Sequence, residues 1–121
     1  MPDWKLGPVE ARFADIIWRN EPLHSSQLVE LSRQQLSWKK PTTYTVLRKL
    51  CQRGLFQNVD STVTSLISRG EFYARQSEEF LNEVFDGSLP ELIQAILTRK
   101  QLSRKDIRQI KQMLDSMTKT D

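Results

Sequence analysis

Short hydroxyl groups and cations are concentrated within eight positions near the middle of the chain. They are Thr42, Tyr44, Thr45, Arg48 and Lys49. Small hydrogen-bonding groups can reach base edges in a duplex groove, and cations attract phosphates irrespective of sequence. The surrounding stretch, Leu31 to Val59, contains no acidic residue, although the chain has 15 Asp and Glu. These residues predict a DNA-contacting surface.

The same stretch carries six basic residues. They are Arg33, Lys39, Lys40, Arg48, Lys49 and Arg53. Charge runs are often only solvated faces, and that alternative stays open on charge alone. The net charge is only +3, so the distribution of charge says more than its total. Acidic residues are concentrated later in the chain, so the net positive charge lies in its first half.

The sequence lacks the residues that disulfides, cysteine-based zinc sites and the common catalytic sites require. A single cysteine, Cys51, excludes an intrachain disulfide and a four-cysteine zinc site. His24 is the only histidine, and we expect it to be exposed or to cap a helix. No phosphate-cradling glycine loop or Ser-His or Cys-His constellation is recognisable. We therefore expect neither an enzyme nor a cofactor. The sequence shows no signal peptide or membrane helix, so we expect a cytoplasmic protein with no membrane partner.

Three helices are predicted to position the cationic surface. The first covers Pro8 to Trp18, with Val9, Phe13, Ile16 and Ile17 on one apolar stripe. The second is capped by Ser25 or Ser26 and ends near Gln35. The third begins at Lys40 or Pro41 and ends at Arg53, with Gly54 in the stop position.

The faces of the third helix follow from its spacing. Thr43, Val46, Leu47 and Leu50 recur at i, i+3, i+4 and i+7, which predicts the buried face. The opposite face consists of Pro41, Thr45, Arg48 and Gln52, with Thr42, Tyr44 and Lys49 beside it. The polar and basic side chains are thus predicted to point outward.

A β-hairpin is predicted after Gly54, because Leu55–Val59 and Thr62–Ile67 favour strands on either side of Asp60-Ser61. Three helices followed by a hairpin predict a mainly α winged helix-turn-helix, in which the third helix enters the major groove. Ser61 and Thr62 could donate to phosphate, whereas Asp60 would repel it. Contact between this wing and DNA therefore stays open.

The remaining residues predict three further helices with apolar stripes. Ser68 and Ser103 are the expected caps of the fourth and sixth. The predicted domains are a winged helix at residues 1–67 and a helical dimerisation region at 68–121. Because these stripes have no evident cover, a second copy of the chain is expected on them. The predicted dimerisation residues are Phe80, Leu81, Val84, Leu89, Leu92, Ile93, Ile96, Ile107, Ile110 and Leu114.

Three segments together resemble the penicillinase-repressor (BlaI/MecI/CopY) family of bacterial transcription regulators. They are Ala14–Trp18, Trp38–Gly54 and Phe80–Leu89. The resemblance implies a homodimeric winged-helix repressor that binds a short inverted repeat in a promoter. It also implies that Thr42, Tyr44 and Thr45 face bases, while Arg48 and Lys49 contact phosphate or a guanine edge. Lys39 and Lys40 are expected to contact phosphate.

Two departures from the family concern its inducers. Well-studied relatives are inactivated when a membrane-bound sensor protease cuts an Asn-Phe bond in the dimerisation helices, and here that position is Ala95-Ile96. The copper-responsive branch has a C-terminal cysteine cluster, which is absent here. A sensor protease stays a candidate partner, but neither familiar inducer follows from the sequence.

Two further expectations concern partners of basic groups. The alternative to a DNA reader is a winged-helix adaptor that presents its basic face to an acidic protein. Arg69, just beyond the hairpin, could approach the DNA backbone or pair with Glu71 or Glu78.

Overall fold

A computed structural model describes residues 5–118, so the outermost residues of the two predicted domains, 1–4 and 119–121, lie outside the described part. The helices are α1 (Pro8–Asn20), α2 (Ser25–Leu36), α3 (Lys40–Gln52), α4 (Arg69–Phe85), α5 (Leu89–Arg99) and α6 (Arg104–Thr118). The strands are β1 (Leu23–His24), β2 (Phe56–Val59) and β3 (Thr62–Ser65). This order is that of a winged helix followed by three helices, so the predicted fold class is confirmed.

The three strands form one antiparallel sheet in the order β1-β3-β2. Val59 pairs with Thr62 across the predicted turn, where Asp60 and Ser61 both have positive φ, 50° and 64°. Two left-handed residues match the right-handed twist of a tight hairpin. The hairpin is therefore confirmed, with strands shorter than predicted. β1 was not predicted, because its two residues are too few to show an alternating pattern.

The core lies between the first three helices and the sheet. Its buried apolar residues are Phe13, Ala14, Ile16, Ile17, Leu23, Leu28, Leu47, Leu50, Leu55, Phe56, Val63 and Phe72. The prediction for Val9 is wrong, since this residue is 48% exposed. It lies one turn before Phe13, and the α1 stripe is covered only from Phe13 onward. Spacing gives the direction of a side chain, but not how far its neighbours extend.

The start of α4 belongs to the winged helix. The Trp18 ring lies 5.5 Å from that of Phe72, and its Nε1 donates to the Ile67 carbonyl at 3.0 Å. Two compact units divide between Glu78 and Glu79, inside α4 and eleven residues after the predicted boundary. The first turns of α4 therefore complete the core of the first unit.

Arg69 does not pair with either of its predicted partners. Its Nε lies 2.8 Å from Oδ1 of Asp15 in α1, and Glu71 pairs instead with Arg75 at 2.9 Å. Residues two apart on a helix do not face each other, whereas residues four apart do. The ion pair with Asp15 joins residues 54 positions apart, so sequence proximity could not reveal it.

Serine side chains cap all three later helices. Oγ of Ser68 accepts from the Glu71 amide at 3.1 Å, and Oγ of Ser103 accepts from the Asp106 amide at 3.0 Å. Both predicted caps are confirmed. Ser88, which was not predicted as a cap, holds the start of α5 through the Glu91 amide at 3.2 Å. Within residues 5–118, no helix is both long and apolar enough to cross a membrane.

Candidate nucleic-acid interface

The third helix presents the predicted polar face outward. Lys39 has an extended backbone at the N-cap, Pro41 lies in the first turn, and Gly54 adopts a left-handed φ of +83° just after the helix. Thr43, Leu47 and Leu50 are buried. Tyr44, Val46 and Cys51 are half-buried, and the exposed residues of the helix are Lys40, Pro41, Thr42, Thr45, Arg48, Lys49 and Gln52. The predicted orientation of the helix is confirmed, although Val46, predicted on the buried face, is only half-buried.

The six basic residues of the acid-free stretch fall into two groups, those with an acidic partner and those without one. Arg33 pairs with Glu30 at 2.6 Å and Arg53 approaches Glu10 at 3.8 Å. The hydrogen bond from Arg33 lowers the pKa of Glu30. Among residues 5–118, no acidic side chain lies within ion-pair distance of four other cations: Lys39, Lys40, Arg48 and Lys49. These four lie at or within α3, so no acidic group of residues 5–118 pairs with the positive charge of its exposed face.

The three threonines of α3 differ in what they can offer. Thr43 is buried and its Oγ1 donates to the Lys39 carbonyl at 3.4 Å. The exposed Thr45 donates its hydroxyl proton to the Pro41 carbonyl at 2.9 Å. Its oxygen lone pairs and its methyl group are then the parts that a ligand can contact. Thr42 is exposed in the first helical turn, and the N-cap position is occupied by Lys39.

Tyr44 is only half-buried, but its hydroxyl contacts another part of the protein. Oη donates to Oγ of Ser25 at 3.2 Å. Ser25 is 4% exposed, and its backbone amide donates to the Ser61 carbonyl at the hairpin turn at 2.8 Å. One serine therefore contacts both α3 and the wing. Nothing in the sequence pattern pairs Ser25 with Tyr44 or Ser61, which follow it by 19 and 36 positions.

The cap of α2 is His24, and the predicted serine caps are wrong. Nδ1 of His24 accepts from the Ser26 amide at 3.1 Å, and the His24 amide donates to the Gln27 side chain at 3.0 Å. Ser25 is instead the first helical residue. The capping role expected for His24 is confirmed. Imidazole is a less common cap than a serine hydroxyl, which explains the wrong choice.

The wing is fastened at its base as well as at its turn. The Glu21 carboxylate accepts from both the amide and the hydroxyl of Ser65 at 2.8 Å. Charge-assisted hydrogen bonds of this kind are stronger than neutral ones. The side chains of Asp60, Ser61 and Thr62 are exposed at the tip. The wing is thus held firmly, while its contact with DNA stays a prediction.

The second unit exposes most of the predicted dimerisation residues. Leu81 and Leu92 are half-buried, and the other eight are 37–58% exposed: Phe80, Val84, Leu89, Ile93, Ile96, Ile107, Ile110 and Leu114. Leu97, Met113 and Met117 add to this surface. Large exposed apolar patches are typical of interaction sites in folded proteins. We call these thirteen residues the apolar helical surface.

The part of the chain that the structure describes holds no group of three or more metal-ligating side chains. Cys51, on the margin of α3, is half-buried, and this burial raises the pKa of its thiol. A thiol that resists ionisation is a poor nucleophile. These findings agree with a packed side chain.

Comparison with known proteins gives a consistent result over most of the chain. The family model described as penicillinase repressor matches residues 6–116. The methicillin resistance regulatory protein MecI of Staphylococcus aureus strain Mu50 is 22% identical over 116 residues, which cover 93% of this chain and 94% of that protein. The penicillinase repressor of Bacillus licheniformis is 21% identical over 115 residues, covering 92% and 90%.

Proposed function

The chain belongs to the penicillinase-repressor family, and we propose that it is a transcriptional repressor that binds a specific inverted-repeat operator as a homodimer. The observation that carries this proposal is the exposed face of α3, where four cations with no acidic partner in the described part of the chain adjoin threonine hydroxyls. A winged helix presents this helix to the major groove. Cations provide attraction to any duplex, and short polar groups provide discrimination between base pairs.

We assign phosphate contact to the cations at the edges of the helix. Lys39 and Lys40 lie at its N-terminal end, where the helix dipole also favours an anion. Lys49 is exposed near the C-terminal end. Each neutralised phosphate releases counterions, so affinity should fall steeply with salt. These contacts would set the position of the helix without reading sequence.

Base reading is assigned to the centre of the exposed face. Thr42 and Thr45 are short enough for α3 to approach the base edges closely, and Arg48 is long enough to reach a guanine or a phosphate. Tyr44 flanks them, half-buried, with its hydroxyl bonded to Ser25. We include Tyr44 in the DNA-contacting surface through the exposed part of the residue.

We propose that the apolar helical surface pairs with the same surface of a second copy. Most homo-oligomers are twofold dimers in which one patch meets itself. Eight of the ten predicted residues are exposed within the single chain, which leaves their apolar area available for burial. A twofold dimer would place two copies of α3 in successive major grooves, about 34–36 Å apart. Bound across a promoter, such a dimer would block polymerase.

A sensor protease is retained as a proposed partner. It would not recognise the family's usual cleavage dipeptide, because that dipeptide is replaced here. Ala95 and Ile96 lie within α5, and both side chains are exposed. Their backbone is part of a regular helix, which must open locally before a protease can bind it as an extended strand. The replaced dipeptide argues for a different inducing event or a different cleavage position, whereas the helical backbone does not, because the relatives are also cut within a dimerisation helix.

Fluorescence anisotropy with two labelled duplexes tests the proposal. One duplex comes from upstream of the protein's own gene, and the other has the same bases in scrambled order. At physiological salt, a specific repressor should prefer the first by about a thousandfold or more. Equal affinity for the two would contradict sequence reading at that promoter. An adaptor for acidic proteins would show no preference between them.

A further inference from the structure

We propose that the Tyr44 hydroxyl is a positioning group. It holds α3 against Ser25 and the wing, so that the other side chains of α3 meet the bases. The proposal rests on the proposed function, because it concerns how α3 is presented to DNA. It assigns Tyr44 a second role, distinct from direct reading of a base by its hydroxyl. It also assigns a role to Ser25, a residue outside the predicted DNA-contacting set.

The geometry places Ser25 where three elements meet. Its Oγ accepts from Oη of Tyr44 in α3 at 3.2 Å, and its amide donates to the Ser61 carbonyl at 2.8 Å. Ser25 is also the first residue of α2 and directly follows β1. A displacement of α3 from α2 would therefore break a hydrogen bond at the same residue that holds the wing turn.

Neighbouring contacts make the wing side of this junction rigid. Leu23 and His24 pair with Val63 and Thr62 in β3, so the two residues before Ser25 belong to the sheet. Glu21 holds the far end of β3 through Ser65. The wing and the start of α2 therefore form one framework. Tyr44 connects α3 to this framework by a polar group with a fixed direction, which apolar packing by Leu47 and Leu50 does not provide.

Burial distinguishes positioning from reading. Ser25 is 4% exposed, so its hydroxyl cannot approach a base or a phosphate directly. Tyr44 is half-buried, and its hydroxyl is oriented toward Ser25. A change at Ser25 can affect sequence discrimination only through the placement of other residues. A change at Tyr44 could act by either route, so comparison of the two residues separates them.

The experiment measures affinity for two duplexes with the full-length protein. The operator probe is the best-bound duplex recovered by selection from a random pool, and the second probe is its scrambled counterpart. Tyr44→Phe removes the donor and retains the ring. Ser25→Ala removes the acceptor and retains the amide that bonds to Ser61. The double variant completes a double-mutant cycle, which measures the coupling between the two substitutions.

Two matched controls come from the same unit. Ser32→Ala removes another buried serine hydroxyl from α2, one with no hydrogen-bond partner among the described residues. Tyr73→Phe removes a phenol from a ring that packs on Phe72 in α4. Neither residue contacts α3 by a side-chain hydrogen bond in the described part of the chain. Thermal unfolding of every variant separates lost stability from lost discrimination.

The proposal predicts that Tyr44→Phe and Ser25→Ala each reduce the operator-to-scrambled affinity ratio by about ten- to a hundredfold, the value of two neutral hydrogen bonds, one in each subunit of the proposed dimer. The double variant should lose no more than either single variant, because all three lack the same bond. Affinity for scrambled DNA, which depends on phosphate contacts, should change by about twofold or less. Both controls should retain the wild-type ratio.

Other results would overturn the proposal. A loss for Tyr44→Phe with none for Ser25→Ala would mean that the phenol reads a base directly. Unchanged ratios for both variants would mean that apolar packing alone orients α3. Additive losses in the double variant would show two independent effects. If the wild-type protein shows no preference between the duplexes, the proposed function itself fails, which is a separate outcome.

Discussion

Replacement of Thr45 by alanine should reduce discrimination between operator and scrambled DNA while leaving the protein folded. Thr45 is exposed on α3, and its proton is committed to the Pro41 carbonyl at 2.9 Å. Its oxygen can then only accept, which suits the amino group of adenine or cytosine, and its methyl group can contact a thymine methyl. Alanine has a higher helix propensity than threonine, so the helix itself should not be weakened.

The magnitude follows from the single contact that each threonine can make. A bidentate contact is worth about 1–3 kcal/mol of discrimination, and one acceptor or methyl contact belongs at the lower end, about 1 kcal/mol. Two subunits would lose about 2 kcal/mol together, which corresponds to a decrease of about thirtyfold in the operator-to-scrambled ratio. Anisotropy titrations of both duplexes at one salt concentration measure this ratio.

Two conservative variants identify which part of the threonine is used. Thr45→Ser retains the oxygen, whereas Thr45→Val retains the shape without it. Hydroxyl reading predicts that the serine variant retains more of the ratio, and methyl reading predicts that the valine variant does. An unchanged ratio for Thr45→Ala would refute the assignment of this face to the bases.

Three further predictions concern other parts of the molecule. Lys49→Ala should weaken binding to all duplexes about equally and reduce the salt dependence of log affinity by about two for a dimer; a changed operator-to-scrambled ratio would contradict this. Ile110→Asp should yield monomers in sedimentation and weaken operator binding sharply, because it puts a charge into an apolar contact; a dimer of wild-type strength would remove α6 from the interface. Because burial raises the pKa of Cys51, less thiolate is present at pH 8 than in the unfolded chain; alkylation by iodoacetamide should be slower in the native protein and accelerate in denaturant, and equal rates would contradict this.

Periodic segments were predictable from the sequence. The spacing places Thr43, Val46, Leu47 and Leu50 on one face of α3, and all of these except the half-buried Val46 are buried. The hairpin follows from two β-favouring runs around Asp60-Ser61, a pair that tolerates left-handed φ. Both features depend on residues close together in the chain, so a single sequence contains the necessary information.

Contacts between distant residues were not predictable in the same way. The Arg69 ion pair with Asp15 spans 54 positions, and the Tyr44 hydrogen bond with Ser25 spans 19. A polar residue has many partners that would satisfy it, and only the packed fold selects one. The exposure of Val9 has a related origin, because burial depends on where neighbouring elements end.

Selection from a pool of random duplexes tests the central claim, a sequence-reading homodimer, most directly, because the protein itself chooses the operator from all the sequences offered. The account predicts enrichment of a twofold-symmetric sequence whose half-sites lie about one helical turn apart, centre to centre. Enrichment of a single asymmetric site would contradict the dimer. No enrichment of any sequence at physiological salt would contradict sequence reading by α3.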